Sequence, residues 1–205
     1  MAGLSQFDSR IVRFGKPPML RSWPTIEGLR ALFEACVAEL IQLCRRDRST
    51  WLTHADLAAM LYTILAQELP AHGLAPRSLH AGLELAAKPP NDARPRHRRV
   101  RVDLALLHPD TLTVREGDGW QGSVQLYARV QRGYQDLSGL RAVLEDLVAV
   151  SRAQPQAAGY LVIVGYGRKR DARDSATRLA LQMGIPLLGE LIEPPGNREG
   201  QLPLL

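Results

Sequence analysis

Aromatic residues make up only 5% of the 205 positions, and there are just two cysteines. The first scarcity means that any core is built from Leu, Val and Ala packing rather than from stacked rings. The second excludes a disulfide framework and a thiolate metal site. Cys36 and Cys44 lie eight residues apart within one predicted helix, a separation of about 12 Å along the axis, too far to bridge. No Cys/His spacing of the zinc-binding type occurs. Long apolar runs are also missing, none approaching the roughly 18 residues of a spanning helix, and the first residues carry no compact apolar stretch of the signal-peptide kind. A cytoplasmic protein with reduced core thiols and no membrane partner is expected. No nucleophile motif surrounds a Ser or Cys, and Gly165-Tyr166-Gly167 is too short for a dinucleotide-binding loop.

The sequence is 45% hydrophobic, enough for a substantial core. Its net charge is +5 and its isoelectric point is near 9.6, a balance that favours polyanionic partners such as nucleic acid.

Residues 1–24 mix Gly, Pro, Ser and scattered Arg without periodicity and read as an N-terminal arm. Residues 25–190 read as one domain, and 191–205, rich in Pro and Gly, as a tail. A helix is expected from Thr25, with Leu29, Leu32, Phe33, Cys36, Leu40 and Leu43 at helical spacing. A second starts at Thr53, where Asp56 three residues on completes a capping-box-like pair. Its stripe is Leu57, Met60, Leu61, Ile64 and Leu65. A short edge strand is expected around Ser78–Leu85, and residues 88–99 read as a loop. A helix carrying Leu137, Leu140, Val143, Leu144 and Leu147 follows. Then come a buried strand over 159–165 (GYLVIVG), a helix ending at Gly184, and a last strand over Ile185–Leu188. This order predicts an α/β fold, a mixed central β-sheet flanked by helices.

The most informative stretch runs from Val100 to Val130. Val100, Val102, Leu104 and Leu106 alternate with Arg101, Asp103 and Ala105. Val124, Leu126, Ala128 and Val130 alternate with Gln125, Tyr127 and Arg129. Period-2 alternation marks two strands. Paired as neighbours, they bring Asp103 and the Gln125/Tyr127/Arg129 row to one surface.

The segment RVRVDLALL, followed by a strand bearing Tyr127-Ala128-Arg129 and then a helix and a further strand, resembles the PD-(D/E)xK, or restriction endonuclease-like, nuclease superfamily. The resemblance covers about Thr53 to Leu188 and implies a restriction endonuclease-like core. In that family an aspartate and an acid on the next strand bind Mg²⁺, and a lysine two residues on helps activate water. Oxygen ligands suit that hard cation, which polarises the phosphate. Here Asp103 matches the first motif. The second is altered: Tyr127 stands in the acid's place, and a phenol ionises only near pKa ~10. Arg129 stands in the lysine's place and keeps its charge but cannot act as a base. Gln125 offers a neutral carbonyl, and Glu84 on the edge strand is the candidate second metal ligand beside Asp103. His54 and His80 are expected to be structural or exposed.

Three basic clusters border the expected strand ends: Arg94, Arg96, Arg98, Arg99 and Arg101; Arg129 and Arg132; Arg168, Lys169, Arg170 and Arg173. Arginine suits bidentate phosphate contact. The resemblance implies a nuclease-fold protein with a degenerate centre that binds DNA or RNA without efficient cleavage. Its rivals are an active Mg²⁺-dependent nuclease with migrated ligands, and a structural subunit of a larger assembly whose partner is protein and whose apolar tail (Leu202, Leu204, Leu205) docks. Mg²⁺ is implied only if the protein cuts.

Overall fold

The computed structural model describes residues 12–13, 23–46, 53–88, 98–115, 119–133, 137–166 and 170–192. The expected arm lies outside these except for 12–13 and 23–24, as does the tail beyond Ile192.

The first helix, α1 (Ile26–Arg46), buries Leu29, Leu32, Phe33, Cys36, Val37, Leu40 and Cys44, a 3.6-residue stripe that faces one layer. Thr25 caps it, its Oγ1 accepting the Gly28 N–H at 3.2 Å, and Arg45 near its end pairs with Glu190. Helix α2 (His54–Glu68) starts on the expected capping box. The Thr53 hydroxyl accepts the Asp56 N–H at 3.2 Å, and the Asp56 carboxylate accepts the Thr53 N–H at 2.6 Å. Pro70 and the left-handed Gly73 (φ 74°) close the tight turn behind it. Helices α3 (Leu137–Ala153) and α4 (Arg170–Gln182) follow, and left-handed Gly184 (φ 70°) stands just beyond α4 as the C′ spacing predicts.

Among the described residues ten strands accompany these helices: β1 (Val12–Arg13), β2 (Leu79–Ala81), β3 (Glu84–Ala87), β4 (Arg98–Arg101), β5 (Leu104–Leu107), β6 (Thr113–Arg115), β7 (Gly119–Gln121), β8 (Val124–Arg132), β9 (Ala158–Tyr166) and β10 (Leu187–Ile192). Five of them form the main sheet in the order β10-β9-β8-β5-β2. β8 is its middle strand, parallel to β9 and antiparallel to β5. β9 runs parallel to β10, and β2 antiparallel to β5. The mixed α/β sheet expected from the sequence is present.

Alternation along the strands divides the interior into two cores. Leu104, Leu106, Leu126, Ala128, Val130, Tyr160 and Val162 meet α1 and α2. Ala105, Leu107, Tyr127, Leu161 and Ile163 meet α3 and α4. Helices therefore cover both faces, and β9 is buried along Leu161–Val164, which accounts for its unbroken apolar run. Cys36 and Cys44 are free and buried, and burial pushes the Cys36 thiol up to about 12. Among the described residues no helix is long and apolar enough to cross a membrane.

Several local expectations are corrected. The single edge strand over Ser78–Leu85 splits at left-handed Gly82 (φ 64°), with β2 staying in the main sheet and β3 pairing with β4 in a two-stranded ribbon. The single strand through Val100–Leu106 breaks between Arg101 and Leu104 into β4 and β5. A bulge between Leu106 and Leu107 sends Val124 into the α3/α4 core, away from Leu126. The segment between the two alternating runs holds β6 and β7, which join β1 of the arm in a three-stranded sheet. The last strand runs over Leu187–Ile192 rather than Ile185–Leu188.

Two outcomes are expected from these contacts. Gly189 adopts φ 147°, and an added Cβ would overlap the Ile163 carbonyl. Gly189→Ala should cost about 2–4 kcal/mol of stability in urea titration. At the start of α2, the bonds from Thr53 hold the Asp56 carboxyl below the usual aspartate range. A depressed folded-state pKa contributes stability above the unfolded value and loses it as pH falls through the folded one. Asp56→Asn should therefore flatten the decline in stability on acidification below the ordinary aspartate pKa, whereas Thr53→Ala, which keeps the main-chain bond and removes only the hydroxyl's, should flatten it in part, and pH-dependent melting checks both.

Candidate functional site

Asp103 stands where the chain passes from the ribbon to the main sheet. On one side the Val102 N–H donates to the Leu83 carbonyl at 2.9 Å, and the Gly82 N–H donates to the Asp103 carbonyl at 3.0 Å. On the other the Asp103 N–H donates to Ala128 at 3.0 Å. The β5 backbone ladder ends here, and the Asp103 side chain extends it: Oδ2 accepts the Val130 N–H of β8 at 2.8 Å.

The same carboxylate gathers two basic groups. Arg129 Nε lies 3.3 Å from Oδ2. Its N–H is not aimed well enough to count as a hydrogen bond, so the contact is an ion pair, and Arg129 Nη1 is held instead by the Arg101 carbonyl at 2.8 Å. His54, the first residue of α2, places Nε2 3.2 Å from Oδ1; a proton on Nε2, in either the neutral tautomer or the imidazolium, makes this bond. The Asp103 side chain is only 15% exposed, which strengthens each of these interactions relative to a surface pair.

Beside this cluster a cleft of about 410 Å³ is lined by His54, Ala55, Ala58, Ala59, Tyr62, Thr63, Ala81, Gly82, Arg101 and Asp103. The helical spacing of residues 55, 58, 59 and 62 puts three alanines and a tyrosine on one face of α2. The Arg101 guanidinium forms the opposite rim and lies over Gly82, where an added Cβ would come within 3.0 Å of it.

Asp103, Arg129 and Arg101 are thus brought together as the strand pattern suggests, but the remaining expected site residues are not. Tyr127 is fully buried in the α3/α4 core and donates its hydroxyl to the Leu147 carbonyl at 3.2 Å. Burial pushes its phenol up to about 12, so it is a packed core side chain. Gln125 donates to Ser123 Oγ at 3.1 Å and sits four residues from Arg129 along β8, about 13 Å away. Glu84 is exposed on β3, across the ribbon from Arg101, and so belongs to a different sheet from β5 and β8. No group of three or more His, Cys, Asp or Glu that could hold a metal ion occurs among the described residues.

Of the expected phosphate contacts, Arg98 pairs with Asp146 of α3, and Arg99, Arg101 and Arg132 are exposed. Arg170 opens α4. Arg96, Arg168 and Lys169 lie outside the described residues. His54, expected to be structural or exposed, is exposed, and its pairing with Asp103 is the contact that the sequence did not indicate. Its partner is 49 residues away, beyond any local spacing rule, and the one available signal was its place beside the Thr53 cap.

No protein-family model, curated protein or solved structure matches the chain.

Because Asp103 satisfies a main-chain donor and faces two basic side chains, it should matter to stability. Asp103→Ala strands the Val130 N–H and the Arg129 charge and should cost about 2–4 kcal/mol. Asp103→Asn retains an acceptor for Val130 and should cost about half as much. Urea unfolding of both variants checks the order, which a purely solvent-facing aspartate would not show.

Proposed function

We propose that this protein binds nucleic acid through a restriction endonuclease-like core whose cleavage centre is blunted. Supporting the kinship is the arrangement of α2, β2, β5, β8, α3 and β9, in which the aspartate-bearing strand is antiparallel to its successor and a helix leads on to a parallel strand. The observation that carries the blunted reading is the occupancy of Asp103. An acid of the second motif would stand beside that aspartate to share a metal ion. The acid's position falls on Tyr127, whose side chain is buried in the α3/α4 core, and what lies against Asp103 is Arg129, at the lysine's position, with His54 on the other oxygen.

The donor set does not fit Mg²⁺. That ion favours several hard oxygen ligands in near-octahedral geometry, whereas Asp103 is the lone carboxylate here, already engaged by two basic side chains and a backbone N–H. The positive charge next to it opposes a second cation. What the surroundings favour is the binding of phosphate. Arg99 and Arg101 are exposed on β4, and guanidinium groups match phosphate oxygens in charge and shape.

The test is fluorescence anisotropy on labelled DNA and RNA oligonucleotides across a salt series. Affinity should fall steeply with salt, and Arg99→Ala and Arg101→Ala should each reduce the logarithmic slope by about 0.7–0.9, the loss of one phosphate contact. No Mg²⁺- or Mn²⁺-dependent cutting is expected. Cleavage abolished by Asp103→Asn would overturn the blunted reading. Failure to retain any nucleic acid at low salt would favour an interaction subunit whose arginines contact protein.

A further inference from the structure

Of the surfaces around Asp103, the cleft on the α2 side has a chemistry that the proposed backbone contacts do not use. We infer that it receives one unstacked nucleotide of a single strand, its base lying between the alanine face of α2 and the Tyr62 ring and its phosphate on Arg101. This rests on the nucleic-acid reading above and adds to it the class of substrate.

The volume, about 410 Å³, falls within the range of roughly 300–1,000 Å³ usual for small-ligand sites and suits a single nucleotide rather than a stacked pair. The composition is that of a slot for a flat ring. Ala55, Ala58 and Ala59 keep α2 low along one wall, and Tyr62, half-buried with its body against the α1/α2 core, presents an aromatic group at the end of that row. Bases stack on such rings irrespective of their identity. Opposite, Arg101 is exposed and enters no ion pair among the described residues, so its charge is available. The Asp103–His54 pair closes the margin of the cleft.

A duplex cannot use this slot without first flipping a base, which costs unstacking and unpairing energy. A preference for single strands is the distinguishing consequence. The shared chemistry leaves the sugar open, so oligothymidylate and oligouridylate arms decide between DNA and RNA.

The probe is a 15-mer of each kind carrying one central 2-aminopurine, with the corresponding duplex as comparison, bound by the full chain at low and high salt. The blocking variant is Ala59→Trp, chosen because Ala59 is exposed on α2 and its side chain can grow into the cleft without entering the core. Circular dichroism melting verifies that the variant is folded. Binding of the single strand should change 2-aminopurine emission and exceed duplex binding, and Ala59→Trp should weaken it about tenfold, the scale of one lost stacking contact. Duplex affinity should move by less than about twofold. Tyr62→Phe should bind as the parent does, since the ring is kept, whereas Tyr62→Ala should match Ala59→Trp.

If the folded Ala59→Trp variant binds single strands as well as the parent does, or the duplex competes equally, the slot is not a nucleotide site, while the wider nucleic-acid reading stands on its salt dependence. Absence of binding by strand and duplex alike sinks both.

Discussion

One carboxylate holds together the part of the molecule on which everything else here depends. Asp103 bonds the backbone of β8, faces Arg129 on the same strand and reaches the first residue of α2. Three elements that are remote in sequence are thereby fixed about one acid. The low exposure of the group makes the arrangement consequential, because a partly desolvated carboxylate requires compensation from several donors. The strand break before β5, His54 and the rim of the cleft all meet at this side chain.

The same knot limits what this carboxylate can offer an outside ligand. A metal-dependent centre needs anionic oxygens with free lone pairs that converge on one point. Here Asp103 is a lone carboxylate, and its oxygens face His54, Arg129 and the Val130 N–H. What stands exposed beside it is the positive charge on the ribbon and the apolar wall of α2.

Much of the fold was legible in the sequence. The capping box at Thr53 and Asp56, the stripe of α1, the apolar run of β9 and the stop at Gly184 depend on neighbours within a few residues, and local rules identify them. The site was legible in part. Alternation put Asp103 and Arg129 on adjacent strands, and β5 and β8 do pair. It also put Tyr127 with them, and here the rule failed for a definable reason. Period-2 reasoning assumes that a strand stays in one sheet, whereas the chain leaves the ribbon at Val102 and joins the main sheet at Leu104. Asp103 sits at that transfer and escapes the face assignment of Ala105 and Tyr127, whose side chains enter the α3/α4 core. Glu84 was misplaced by the same kind of event, the reversal at Gly82. The pairing of His54 with Asp103 was not legible, because it exists only after α2 has docked.

The β3–β4 ribbon is secured at both ends. At its base, the Gly82 and Val102 amides cross-link it to the start of β5. Farther along, the Lys88 N–H donates to the Ala149 carbonyl of α3, and Arg98 pairs with Asp146 of the same helix. The ribbon thus works as a short beam spanning the two sides of the main sheet, with Arg101 near its fulcrum. Arg101 therefore stands on a ribbon tied at one end to the main sheet and at the other to α3.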